Sequence, residues 1–139
     1  MNINTECLTY LETAKFQLTE EFPNSSDLCN TLFLKICDFV NEDFDGIVEN
    51  KIYRSFIGQL IDIIEISFKN NASKSYLRSF FKKLNNRIFI NHLSTLMPSK
   101  SDDISFTIDR LVNFFVYQDS TSKKEYRLEE ILSYLKAKK

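Results

Sequence analysis

Apolar positions recur every three or four residues along most of this chain, the period of helices that bury one stripe. Cys7, Leu11, Ala14 and Leu18, widened by Leu8 and Tyr10, predict a first helix from about Thr5 to Glu21. Phe22-Pro23-Asn24-Ser25-Ser26 ends it and offers polar caps to the next. Leu28, Leu32, Ile36, Phe39 and Val40 then mark a second helix from about Ser26 to Asn41, followed by the acidic connection Glu42-Asp43-Phe44-Asp45-Gly46. The most hydrophobic stretch, about Glu49 to Asn70, carries Ile52, Tyr53, Phe56, Ile57, Leu60, Ile61 and Ile64, with Ile63, Ile66 and Phe68 off the stripe. A helix apolar nearly all round is expected at the centre of a bundle. Ile61, Ile63 and Ile64 would also suit a strand, but the length and the regular polar breaks favour a helix.

Asn70-Asn71 breaks the chain, and Ser73 can cap a fourth helix that runs through about Leu84. Asn85-Asn86 predicts a kink or short break before a further piece from Arg87 to Met97, closed by Pro98. Ser101-Asp102-Asp103 starts a fifth helix with acids in its first turn, where the dipole favours them. Its stripe is Ile104, Ile108, Leu111, Val112 and Phe115. After the polar loop Gln118-Asp119-Ser120-Thr121, Ser122 and Glu125 fit a capping box for a sixth helix, with Leu128, Ile131, Leu132 and Leu135 buried. Lys136, Lys138 and Lys139 suit the negative end of its dipole. The expectation is one domain over residues 1–139, an all-α bundle of about six helices around a central hydrophobic one. Only 2 Gly and 2 Pro among 139 residues strengthen it, because sandwiches and nucleotide-binding α/β folds need these residues at their turns.

Charge changes the picture. The net charge is -1, yet residues 66–101 hold no acid and seven bases, while 12 of the 19 acids lie in residues 1–65. Lys74, Arg78 and Lys82 fall four apart, so they line one face of the fourth helix as a basic ridge, with Lys83 beside them. Such a ridge is a solvated face, or packs beside the acidic N-terminal half of the same fold, or is a docking surface for an acidic partner or phosphates. Tyr76, Phe80 and Phe81 in the same helix are expected in the core rather than as platforms for stacked bases. A pI near 5.9 also argues against a general nucleic-acid binder.

Candidate chemistry is sparse. His92 is the only histidine, and no CxxC pair, GxxxxGK[ST], GxGxxG or GxSxG occurs, so neither a metal nor a nucleotide cofactor is expected. Cys29 and Cys37 are eight apart in one helix and cannot pair, and three cysteines form no even framework. Reduced thiols, no leader-like start and no apolar span are the pattern of a soluble, cytoplasmic protein without membrane association.

Arg87-Ile88-Phe89-Ile90-Asn91-His92 has the spacing Arg-x4-His and resembles the motif of HEPN ribonucleases, compact helical domains of similar length. That resemblance implies that Arg87 stabilises phosphate charge and that His92 acts as general acid and base on a ribose 2′-hydroxyl. A fainter likeness is to the helical apoptosis regulators of the B-cell lymphoma family, which also wrap helices around a very apolar central one. With so little site chemistry, the first reading is a protein-binding module, an adaptor, inhibitor or immunity-type protein with a charged helical face. A ribonuclease or RNA-binding helical domain using Arg87 and His92 is the alternative, and the ribonuclease carries its own prediction. RNA cleavage should be lost on His92→Ala with the melting temperature unchanged; cleavage by the variant at the parent rate removes that reading.

Overall fold

The computed structural model describes residues 3–116 and 124–139. Among the described residues, seven α-helices and two short 3-10 turns make up an all-α bundle with no strand. The helices are α1 (Ile3–Glu21), α2 (Ser26–Asn41), α3 (Glu49–Lys69), α4 (Lys74–Leu84), α5 (Arg87–Leu96), α6 (Ser101–Val116) and α7 (Lys124–Lys136). The seventh helix arises at Asn85-Asn86, where the chain breaks completely. The Asn86 side chain accepts a hydrogen bond from the Ile88 amide at 2.8 Å, so α5 has its own N-cap. The loop through Thr121 and the capping box of Ser122 and Glu125 lie outside the described residues and side chains.

The ends of the helices follow from local chemistry. Ser73 caps α4 by accepting from the Tyr76 amide at 3.0 Å. Asn71 ends α3 at a φ of 56°, the left-handed conformation that Asn tolerates best after Gly. There the Asn71 amide donates to Phe68 O at 3.1 Å and the Ala72 amide to Ser67 O at 2.9 Å, so two terminal carbonyls are satisfied. Ser25 behaves differently from expectation. It precedes α2 at φ -111° and ψ 22° without a side-chain cap, because the 3-10 turn Pro23–Ser25 feeds straight into the helix. Gly46, in the acidic connection, has a φ of 78° and open space where a Cβ would go, so the backbone alone requires it.

Packing confirms the central role of α3, which buries nine residues and meets α2, α5 and α7. Its Phe56 is fully buried and packs on Phe39 of α2 and Phe89 of α5, with ring centroids 5.8 and 6.4 Å apart. A second file of rings runs through α4. Tyr76 meets Phe22, Phe80 meets Phe33, and Phe81 stacks on Phe115 of α6 at 6.0 Å. The pairing of α4 with α6 is the most extensive in the bundle. No helix among the described residues is long and apolar enough to cross a membrane.

Removing the Phe56 ring should therefore leave a cavity shared by three helices. Phe56→Ala is expected to cost about 3–5 kcal/mol, and Ser73→Ala about 0.5–2 kcal/mol through the lost cap. Urea denaturation followed by circular dichroism checks both, and equal midpoints for the two variants would contradict the packing described.

Candidate functional site

The basic ridge is created by what α4 buries. Tyr76, Leu77, Phe80, Phe81 and Leu84 are inaccessible and occupy one side of the helix. At 3.6 residues per turn, the intervening positions must face outward. Arg78 and Lys82 are exposed and Lys74 is half-buried. Lys83 sits apart from them, on the edge that meets α1. Its ammonium donates to Gln17 Oε1 at 2.8 Å, and its carbonyl accepts from the Tyr10 hydroxyl at 2.7 Å. Ser79 donates to Glu21 Oε1 at 3.3 Å along the same edge. The polar face of α1 thus lies beside α4, but its carboxylates do not reach the ridge. Among the described residues the ion pairs are Lys15–Glu12 at 3.4 Å and Lys35–Asp62 at 3.8 Å, and none involves Lys74, Arg78 or Lys82.

Arg87 and His92 are separated by the same geometry. A five-residue step on a helix turns through about 140°, and α5 buries Phe89, His92 and Leu93 while Arg87 is exposed. His92 is 4% exposed, and both ring nitrogens are buried without a hydrogen-bond partner. Burial pushes its pKa down, since the imidazolium would lose its hydration. Acting on one phosphodiester requires the two side chains to converge, and within one copy of the chain α5 points them apart. The buried His92 also changes what its removal should do, because truncating it now leaves a cavity and lowers the melting temperature.

The cysteines are unpaired. Burial, with Cys37 and Glu6 nearby, pushes the Cys7 thiol up to about 12, and burial also raises Cys37. Both are held as thiols at neutral pH, which removes the thiolate a nucleophile needs. No group of three His, Cys, Asp or Glu among the described residues is placed to hold a metal ion.

Two surface features escaped sequence reasoning because their parts are far apart in the chain. One is a basic groove of about 310 Å³ lined by Asn50, Tyr53, Arg54, Lys100, Lys138 and Lys139. Aromatic faces hold two of its ammonium groups. Lys100 lies 5.1 Å from the Tyr53 ring centroid, and Lys138 lies 5.2 Å from that of Tyr134. The lysine run at the end of α7 was visible in the sequence, but its approach to Arg54 and Lys100 was not. The other is an open groove of about 360 Å³ between the start of α1, the α2–α3 connection and α5, with the buried His92 among its lining residues.

No family model, curated protein or solved structure matches this chain. The likenesses to HEPN ribonucleases and to the B-cell lymphoma family therefore rest on the features quoted for them alone.

The state of His92 predicts a pH effect. The folded chain keeps the ring neutral to lower pH than the unfolded chain, whose ordinary value is 6.5. Below that value the unfolded chain binds more protons, so acid favours unfolding, and the penalty vanishes above it. Stability lost between neutrality and about pH 5 should be smaller in His92→Leu than in the parent. Identical losses in urea titrations of the two proteins would contradict a buried neutral imidazole.

Proposed function

We propose that this protein is a binding module that docks an acidic protein partner on the outer face of α4. The observation that carries the reading is the ridge of Lys74, Arg78 and Lys82. It comprises three cations on one helix face with no carboxylate in ion-pair reach among the described residues, in a chain whose net charge is -1. Unbalanced surface charge of one sign steers an oppositely charged partner and sets its register. The residues that would let such a face grip nucleic acid are committed elsewhere. Tyr76, Phe80 and Phe81 are inaccessible, so α4 offers no ring on which a base could stack. The same rigid burial favours recognition, because a helix anchored along its inner face presents its charges without reordering on binding.

The test is charge reversal. Lys74→Glu, Arg78→Glu and Lys82→Glu combined should leave helicity unchanged and weaken capture of the partner from the native host by about tenfold or more, equivalent to about 1.4 kcal/mol. Capture by the parent should also weaken as salt is raised. Undiminished capture by the triple variant, or an eluate that disappears on nuclease treatment, would remove the acidic-protein reading.

A further inference from the structure

The basic groove beside α3 gathers its charge from three distant parts of the chain. Arg54 comes from α3, Lys100 from the 3-10 turn before α6, and Lys138 and Lys139 from just past the end of α7. Asn50, also in the lining, adds an amide, and no Asp or Glu lines the groove. Among the described residues none of the four cations lies within ion-pair reach of a side-chain or terminal carboxylate. Two acids stand near by without neutralising them. Glu49 accepts from the Ser99 amide and the Ser99 hydroxyl, each at 3.0 Å, and Asp103 acts on Tyr53 without pairing with a lysine.

Lysines at a surface ordinarily move freely in water, and a cluster of them alone would mean little. Here the ammonium groups are held. Lys100 lies 5.1 Å from the ring centroid of Tyr53, a residue only 7% exposed. Lys138 lies over both Phe106 and Tyr134, at 5.7 and 5.2 Å. The Lys139 ammonium rests on α3 where Gly58 has no side chain, 3.7 Å from the position of a Cβ and one turn along from Arg54. Like charges fixed together repel, and an anion in the groove relieves that repulsion.

The groove also limits which anion. A phosphate monoester brings about two negative charges at neutral pH, fewer than the four cations present. Two or three linked phosphates match them better, with oxygens that suit both the lysine point charges and the forked guanidinium of Arg54. A carboxylate side chain brings one charge together with its peptide backbone, so an acidic peptide would fill about 310 Å³ before it balanced the charge. The rings offer no platform to a nucleobase. Lys100 occupies the face of Tyr53, and Lys138 and Arg110, at 5.2 and 5.6 Å, both lie over Tyr134.

We propose that this groove binds the di- or triphosphate group of a small molecule. The site shares no residue with the α4 ridge, so it stands or falls separately from it.

The experiment is calorimetric titration of the intact protein with tripolyphosphate, in buffer free of divalent cations and at constant ionic strength. Saturable binding at one site is expected, with orthophosphate at least about tenfold weaker. Arg54→Gln combined with Lys139→Gln alters two exposed side chains, so helicity should hold while affinity falls about tenfold or more. Arg78→Gln combined with Lys82→Gln removes the same charge from the ridge and should leave tripolyphosphate affinity unchanged. Adenosine triphosphate distinguishes the sources of the group. Tighter binding than tripolyphosphate assigns it to a nucleotide, and equal or weaker binding assigns it to a phosphate chain recognised without its nucleoside. Non-saturating heats, equal losses in the two double variants, orthophosphate binding as tightly as tripolyphosphate, or tighter binding by a glutamate oligopeptide or a short single-stranded RNA would each overturn the proposal.

Discussion

Burial of the aromatic face of α4 is the constraint on which the rest of this structure depends. Tyr76, Phe80 and Phe81 sit between Phe22, Phe33 and Phe115, so α4 is gripped by the α1–α2 junction, by α2 and by α6. Each ring removes a large apolar area from water and adds edge or stacking contacts to its neighbours. With that face committed, the helix has no rotational freedom. The basic positions emerge on the outside because the aromatic ones are held inside.

The same logic governs α5, with the opposite consequence. Phe89 and Leu93 anchor the helix against the core, and His92 is carried inward with them. Arg87, at the first turn, is left outside. An Arg-x4-His spacing that resembles a nuclease motif in one dimension is therefore split between surface and interior in three. What remains for His92 is a buried ring whose nitrogens are shielded from solvent, a setting that does not suit proton transfer at a phosphodiester.

The two faces have opposite electrostatic character. The outer face of α4 is basic and has no ion-paired carboxylate among the described residues, whereas the connection between α2 and α3 is acidic. A near-neutral total conceals this separation. Charge sorted in this way contributes little to stability, since exposed pairs are worth well under about 1 kcal/mol each. Its physical effect lies in the field presented to other molecules.

Helix periodicity, capping residues and the scarcity of Gly and Pro were enough to read an all-α bundle and its central helix, because those signals are local and repeat with each turn. That Lys74, Arg78 and Lys82 share one face was legible for the same reason, since a helix face is a matter of spacing alone, but which face is exposed was settled only by what α4 buries. Asn85-Asn86 was visible as a break, but whether it bent one helix or made two depended on the Asn86 cap. The fate of His92, the turning of Lys83 toward Gln17, and the meeting of Arg54 with Lys100 and Lys138 were decided only by tertiary structure. Each depends on which helices pack together, and contacts between residues far apart in the chain leave no periodic trace in the sequence.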